Sequence, residues 1–121
     1  MSSVTVLICD DAVFMRTVVG DILKRAGYLV IGEAATGRQA VEKSRALKPD
    51  FVTMDIVMPE LSGIEAVREI CAEDPQARVL MCSAMGQQSL VVNAIQAGAR
   101  EFVVKPFVAN RVLDAVKRVL S

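Results

Sequence analysis

Short β-branched segments alternate with helical patterns five times along this chain of 121 residues. Residues 5–9, 28–32, 51–54, 78–82 and 101–105 predict strands. Several of these segments are almost continuously apolar, which is typical of strands that are covered on both faces. Strands that alternate with helices through short connections predict a parallel sheet with helices on both faces, built by right-handed crossovers.

Helical periodicity fills the intervals between these segments. Apolar residues recur at helical spacing over 14–26, 64–71 and 112–120, which indicates one buried stripe on each of three helices. The second and fourth helices, near 39–47 and 88–97, show a weaker pattern. Gly27 and Gly98 each follow a predicted helix and precede a predicted strand. The residue that ends a helix often has a left-handed backbone conformation, which glycine adopts easily. The sequence therefore predicts a βα unit repeated five times.

The length of the chain predicts one domain, residues 1–121, with one core. Although 53% of the residues are apolar, no run approaches the roughly 18 uninterrupted apolar residues that a membrane span needs. The N-terminus lacks the basic region and cleavage site of a signal peptide, so we expect a cytoplasmic protein. The charges of 14 basic and 14 acidic residues cancel. The chain therefore has no net charge that would attract nucleic acid or an anionic membrane.

The three cysteines, Cys9, Cys71 and Cys82, are an odd number and show neither a CxxC motif nor metal-ligand spacing. Each lies among apolar neighbours. We interpret them as small core residues of a protein in a reducing compartment, with a reactive thiol as the alternative.

Polar residues stand where four of the predicted strands end: Asp10 and Asp11 after the first, Asp55 after the third, Ser83 after the fourth and Lys105 at the end of the fifth. Open parallel sheets bind ligands at the carboxyl ends of their strands, where the strand order reverses. If the strands follow the flavodoxin-like order 2-1-3-4-5, the first and third are neighbours about 4.8 Å apart. Their terminal carboxylates then converge on one small region.

Such a convergence of charge requires a cation. Two carboxylates about 4 Å apart repel by roughly 4 kcal/mol at an effective dielectric constant near 20. All the candidate ligands are oxygen atoms, which favours a hard ion such as Mg2+. Ser83 adds a hydroxyl and Lys105 a positive charge, and together these groups suit a phosphoryl group, whose oxygens need positive charge and hydrogen-bond donors.

Each of these residues also has a purely structural interpretation when it is considered alone. Asp10 and Asp11 suit a helix N-terminus, Asp55 a turn, Ser83 a cap and Lys105 a solvated strand end. Their common register favours a joint site, because all of them fall at one edge of the inferred sheet.

Four segments together resemble the receiver domain of two-component response regulators, most closely its stand-alone chemotaxis (CheY-type) members. They read ICDDAVFMR, VTMDIVMPELSGIEAV, MCSAMGQQ and AGAREFVVKPF, and the resemblance covers essentially the whole chain. It implies that Asp55 accepts a phosphoryl group. It also implies that Asp10, Asp11, Asp55 and the backbone carbonyl of Val57 bind Mg2+.

The same resemblance assigns Lys105 and Ser83 to contacts with the phosphoryl group and implies a cis peptide bond between Lys105 and Pro106. After phosphorylation, Ser83 would move toward the phosphoryl oxygens and Phe102 would turn into the space that it leaves. The surface formed by the fourth helix, fifth strand and fifth helix would then change its population of conformations.

Three residues depart from the commonest pattern of the family. Val57 and Met85 are apolar where many relatives have polar or acidic groups that can orient water, so we expect slow self-dephosphorylation. Position 102 is Phe rather than Tyr, so no phenolic hydroxyl is present there to signal the conformational change to a partner protein. Pro59 and Gly63 follow the pattern and are expected to shape the loop before the third helix.

By this resemblance the chain is a signalling phosphoreceiver, not an enzyme in its own right, although it assists its own phosphorylation and dephosphorylation. The implied partners are a sensor histidine kinase of chemotaxis type, the flagellar motor switch protein and a phosphatase, and we expect a monomer. Because the sequence stops at Ser121, directly after the fifth helix, we expect output through protein contact; an excised domain of a longer regulator is the alternative.

Three other interpretations compete with chemotaxis signalling. A single-domain receiver acting as a phosphorelay intermediate, or regulating another protein, would have much the same sequence. A haloacid-dehalogenase-like phosphatase needs a second acid two residues after its nucleophile, where this chain has Val57. A flavodoxin-like cofactor binder needs a phosphate loop after the first strand, where Asp10 and Asp11 would repel a phosphate unless a metal intervened.

Overall fold

A computed structural model describes residues 3–84 and 86–121, in which five strands alternate with five helices. The strands are β1 (Thr5–Cys9), β2 (Leu29–Ala34), β3 (Phe51–Met54), β4 (Val79–Ser83) and β5 (Glu101–Val104). The helices are α1 (Val13–Arg25), α2 (Gly37–Leu47), α3 (Gly63–Glu73), α4 (Gln88–Ala97) and α5 (Ala109–Leu120). The predicted repeat of five βα units is confirmed.

The strands form one parallel sheet in the order β2-β1-β3-β4-β5, which confirms the predicted topology. The central strands β3 and β4 are buried at every residue, whereas the edge strands β2 and β5 are only partly buried. Continuous apolar runs therefore mark the centre of the sheet, because helices cover both faces there. The order makes β1 and β3 neighbours.

Alternate residues of each strand enter two hydrophobic cores on opposite faces of the sheet. In β1, Leu7 packs into a core shared with α2, α3 and α4, whereas Val6 and Ile8 pack into a core shared with α1 and α5. This division follows from the two-residue period of a strand. The two cores hold the sheet rigid beneath its C-terminal edge.

The bounds of three strands differ from the prediction by one or two residues. β2 and β4 each begin one residue later, at Leu29 and Val79, and β5 ends at Val104 instead of Lys105. β2 continues to Ala34 because its pairing with β1 runs on to Cys9, so that Glu33 belongs to the strand. β4 includes Ser83, which pairs with Val104 of β5, so that Ser83 is the last strand residue and does not follow the strand.

Helix ends largely follow the sequence signals. Gly27 and Gly98 have φ angles of 94° and 125°, as predicted for residues that terminate helices. α2 instead ends at Leu47 and is capped by Lys48, which has a φ of 48°. It begins after Thr36, whose hydroxyl accepts a hydrogen bond from the Gln39 amide. No helix in the described ranges is long and apolar enough to cross a bilayer.

The cysteines occupy the positions that the composition predicts. Cys9 and Cys82 are buried, one in each core, while Cys71 is half-buried, and none of them forms a disulfide. Burial raises the pKa of the Cys82 thiol to about 12 and also raises the pKa of Cys9. These two residues are therefore inert core thiols.

Candidate functional site

Backbone hydrogen bonds carry the sheet one residue beyond β1 and β3. The Asp10 amide donates to the Ala34 carbonyl at 3.0 Å, and the Asp55 amide donates to the Cys9 carbonyl at 2.9 Å. Both aspartates are thus fixed at the C-terminal edge of adjacent strands, and both are more than nine-tenths buried. The strand order accounts for their proximity.

Asp10, Asp11 and Asp55 form an acidic cluster in which one carboxylate oxygen from each lies within 4.8 Å of the others. Asp11 is exposed, whereas the other two face inward. The Ala12 amide donates to Asp10 Oδ1 at 2.9 Å, and the Ile56 amide donates to Asp55 Oδ1 at 2.8 Å. One oxygen of each carboxylate therefore borders the same small volume.

Lys105 brings a positive charge to this acidic cluster. Its Nζ lies 2.8 Å from Asp10 Oδ2 and 3.6 Å from Asp55 Oδ2, and 15% of its side chain is exposed. Burial tends to lower the pKa of Lys105, but the hydrogen bond to Asp10 and the charges of Asp55 and Asp10 raise it above its ordinary value. The Lys105–Pro106 bond is cis, as the resemblance implies.

The carboxylate of Asp55 is only partly compensated. Burial and the negative charges of Asp10 and Asp11 raise its pKa, against the opposing effects of Lys105 and of the Ile56 amide. Lys105 thus pairs with Asp10 and Asp55, while Asp11 adds a third negative charge beside them. The arrangement favours the addition of a further cation.

Burial of the Asp55 charge beside two other carboxylates predicts that Asp55→Asn stabilises the metal-free protein at neutral pH, by about 1 kcal/mol, because Lys105 offsets only part of this cost. The pKa of Asp55 is raised in the folded state, so stability falls as pH rises from the unfolded pKa of about 3.9 through the folded pKa. Urea unfolding in EDTA from pH 3.5 to 7 should show the gain of the variant growing with pH. A gain that is constant across this range would contradict the prediction.

The donor set fits Mg2+. Carboxylate oxygens at the edge of the sheet, one of them exposed, leave room for water and substrate oxygens, as Mg2+ requires. His is absent from the sequence, and neither Cys9 nor Cys82 is ionised at neutral pH. The residues present therefore favour a hard cation over zinc or iron.

The other predicted site residues lie around the acidic cluster. Ser83 is buried at the end of β4, and its carbonyl accepts a hydrogen bond from the Lys105 amide at 2.8 Å. Val57 is 59% exposed, and Phe102 is half-buried against the core beneath α3 and α4. Met85 lies outside the described residues, so slow self-dephosphorylation stays a prediction.

The loop between β3 and α3 passes directly over the Asp55 backbone. The Gly63 amide donates to the Ile56 carbonyl at 2.7 Å, and a Cβ atom at Gly63 would lie 1.8 Å from the Asp55 carbonyl oxygen. Glu60, next to Pro59, has a φ of 68°. The glycine of the sequence signature is therefore required by close approach of two backbone segments.

Arg16 is a site residue that the sequence reasoning missed. Its Nη1 donates to the Asp10 backbone carbonyl at 2.7 Å, and its Nε donates to Glu33 Oε1 at 2.8 Å. Only an arginine on the first turn of α1 and an acid near the end of β2 were visible in the sequence. Their meeting depends on β2 lying beside β1.

One cavity of about 380 Å3 lies far from this site, between α2 and α3 at the opposite edge of the sheet. It contains Arg45, Lys48 and Arg78 together with Glu73 and Asp74. Arg45 pairs with Glu73, and the C-terminal ends of both helices point to the cavity. Arg45 lies in the last turn of α2, where a positive charge is favourable, and we assign this cavity a structural role.

Comparisons with known proteins agree on one family. The family model described as response regulator receiver domain matches residues 6–117. The chain is 58% identical to the chemotaxis protein CheY of Thermotoga maritima over 114 residues, which are 94% of this chain and 95% of that protein. It is also 58% identical to CheY of Bacillus subtilis over 116 residues, 96% of this chain and 97% of that protein.

A solved structure extends this likeness to three dimensions. A chain of the crystal structure of the CheX–CheY–BeF3–Mg2+ complex from Borrelia burgdorferi has a TM-score of 0.94 and 39% identity, covering 97% of this chain and 89% of that one. These matches favour the receiver over the phosphatase and cofactor-binding interpretations. The chain therefore belongs to the response regulator receiver family, whose members are signalling domains that kinases phosphorylate and not enzymes in their own right.

Proposed function

We propose that this chain is the phospho-accepting response regulator of a two-component chemotaxis system, and that a histidine kinase phosphorylates Asp55. The observation that carries the proposal is the position of Asp55, buried at the sheet edge with Lys105 Nζ 3.6 Å away and two further carboxylates beside it. Burial and the neighbouring negative charges raise the pKa of Asp55. A partly compensated carboxylate beside a cation is suited to attack phosphorus.

The proposal assigns Mg2+ to Asp10, Asp11, Asp55 and the backbone carbonyl of Val57. When bound, Mg2+ supplies positive charge that offsets the carboxylates and the oxygens of a transferred phosphoryl group. The close carboxylates and the exposed side of the acidic cluster support this assignment.

In the proposed reaction, a carboxylate oxygen of Asp55 attacks the phosphorus of a kinase phosphohistidine in line with the leaving nitrogen. An O–P bond forms to Asp55 as the N–P bond breaks, and its electron pair passes to the imidazole nitrogen. Lys105 neutralises charge on the phosphoryl oxygens, and the Ser83 hydroxyl donates a hydrogen bond to one of them. Attack of water on the acyl phosphate later releases phosphate and restores the Asp55 carboxylate.

We assign the output to Ser83 and Phe102. As Ser83 approaches the phosphoryl group, Phe102 turns inward and changes the surface of α4, β5 and α5. The position of Phe102 supports this step, because it is only half-buried and lines a cavity of about 330 Å3 together with Val104 and Arg111. Small rearrangements are therefore sterically open to its ring.

The proposed partners follow from the named relatives. Several are chemotaxis CheY proteins, which supports a chemotaxis-type histidine kinase as donor and the flagellar motor switch protein as receiver of the signal. The CheX–CheY neighbour supports a phosphatase partner. We further propose that residues 1–121 form one receiver domain that acts as a cytoplasmic monomer.

Labelling by a small phosphodonor tests the acceptor. The parent protein should incorporate one phosphoryl group from acetyl phosphate in a Mg2+-dependent reaction, measured by intact-protein mass spectrometry. Asp55→Asn should abolish incorporation, and Asp11→Ala should reduce it strongly at moderate Mg2+. Asp21→Asn, which removes an exposed acid farther along α1, should label as the parent does.

Persistent full labelling of Asp55→Asn would overturn the acceptor assignment. Binding to a motor switch peptide should then be measured with and without beryllofluoride. Enhanced binding with beryllofluoride is expected for a chemotaxis regulator, whereas unchanged binding would contradict the assigned output.

A further inference from the structure

Asp11 is the least supported member of the acidic cluster. Its side chain is exposed, and no other described residue donates a hydrogen bond to its carboxylate. Asp10, in contrast, receives hydrogen bonds on both carboxylate oxygens, from the Ala12 amide and from Lys105. The location of the Asp11 carboxylate therefore depends on how its backbone is held.

The peptide between Asp10 and Asp11 is held by Arg16. The peptide bond is planar, so the Asp10 carbonyl and the Asp11 nitrogen move together. A group that holds the carbonyl in place therefore also holds the Asp11 backbone nitrogen in place. Arg16 Nη1 lies 2.7 Å from that carbonyl oxygen, and the Arg16 side chain is 15% exposed. A charge-assisted hydrogen bond at this depth is stronger than one in bulk water.

The Arg16 side chain is held in place both at its backbone and at its guanidinium group. Its backbone amide makes the first helical bond, to the Ala12 carbonyl at 3.1 Å, and helical side chains lean toward the N-terminus of their helix. Its Nε donates to Glu33 Oε1 at 2.8 Å, and Glu33 pairs with Ile8 in the sheet. The planar guanidinium thus bridges the β1–α1 loop and β2.

We propose that Arg16 is a positioning residue for cation binding: it holds the Asp10–Asp11 peptide so that the Asp11 carboxylate faces Asp10 and Asp55. Glu33 orients Arg16 and contributes less, because its carboxylate is 54% exposed. This inference rests on the proposed Mg2+ site. It assigns Arg16 no contact with the transferred group.

Electrostatics alone predicts the opposite result. Removing the positive charge of Arg16, which bonds the Asp10 backbone carbonyl, should tighten the binding of Mg2+, and exchanging arginine for lysine should leave it unchanged. If Arg16 instead acts by positioning the peptide, Mg2+ should bind more weakly both to Arg16→Lys and to Arg16→Gln. The compact ammonium group of lysine cannot replace the planar guanidinium, which donates to the Asp10 carbonyl and to Glu33 at the same time. The sign of the change therefore separates the two explanations.

The test is isothermal titration of Mg2+ into metal-free Arg16→Lys and Arg16→Gln, with Arg25→Gln at the far end of α1 as the matched control. Loss of a group that orients a metal ligand typically costs 10- to 100-fold in affinity, and we expect about tenfold weaker binding in both Arg16 variants. Arg25→Gln should bind as the parent does. Labelling of Arg16→Lys should recover nearly the parent rate at saturating Mg2+, because Asp55 and Lys105 are untouched.

Amide NMR spectra of metal-free Arg16→Lys provide a second readout, in which shifts should concentrate at Asp11 and Ala12. Unchanged or tighter Mg2+ binding in a folded Arg16→Lys, with Asp11→Ala abolishing it, would overturn the inference and leave the proposed function intact. A parent protein that binds no Mg2+ would overturn both. If Arg16→Gln fails to fold, Arg16→Lys decides the outcome.

Discussion

Lys105→Met is expected to slow the phosphorylation of Asp55 by about 100-fold, the scale of loss when a preorganised charge-stabilising group is removed. In metal-free protein at neutral pH, we also expect a loss of about 3 kcal/mol in the free energy of unfolding. The reason is that Lys105 Nζ lies 2.8 Å from Asp10 and 3.6 Å from Asp55, and its removal leaves buried carboxylates without their cation.

Two comparisons isolate this cause. Saturating Mg2+ should restore much of the lost stability but not the labelling rate, because the ion offsets the carboxylates without replacing the ammonium group. Lys105→Met combined with Asp10→Asn should be more stable than Lys105→Met alone. Lys117→Met, on exposed α5 surface, should match the parent in both measurements.

Urea unfolding with and without Mg2+, together with initial labelling rates, measures these effects. A Lys105→Met protein as stable as the parent in EDTA would show that the three carboxylates need no internal counterion. A parent-like labelling rate would remove Lys105 from the proposed mechanism.

Gly63→Ala is expected to lower the free energy of unfolding by about 3 kcal/mol or more, at the upper end of the usual cost of overpacking. The new methyl group would lie 1.8 Å from the Asp55 carbonyl oxygen and 3.0 Å from Ile56 Cα. Both obstacles are backbone atoms that follow a buried strand, so neither can move without distorting the acidic cluster. Any folded fraction should therefore also bind Mg2+ more weakly.

Gly20→Ala is the matched control. Gly20 is a buried residue of α1, and a Cβ atom there would lie 3.6 Å from Ile8 Cδ1, an ordinary contact. Alanine favours a helix interior over glycine, and we expect stability to rise by about 0.5–1 kcal/mol. Urea midpoints of the two variants should move in opposite directions; a Gly63→Ala midpoint near that of the parent would refute the close-approach argument.

The strands and helices could be predicted from the sequence because buried apolar residues recur with the period of the element that carries them. The almost continuously apolar segments of β3 and β4, between helices with one apolar stripe each, sufficed to predict a parallel sheet with two covered faces. The pattern was less informative at the ends of edge strands: β2 runs two residues beyond the predicted Gly32, because pairing with β1 continues where hydrophobicity has stopped.

The site was predictable where side-chain chemistry coincides with strand ends. Asp10, Asp55, Ser83 and Lys105 all follow or end strands, and the order of the strands brings them to one edge. Arg16 was not predictable in this way. Its bond is to a backbone carbonyl, and a carbonyl carries no signature in the sequence.

The amino-acid sequence by itself determined which residues are buried, which elements form and which charged groups emerge at the ends of strands, because these properties depend on local periodicity and side-chain type. Only the tertiary structure decided which of those groups compensate one another. The Lys105 ammonium lies beside Asp10, 95 residues earlier in the chain, and Gly63 lies against the Asp55 carbonyl. Electrostatic and steric energies depend on distances in space, and these distances arise only when β1, β3, β4 and β5 are assembled side by side.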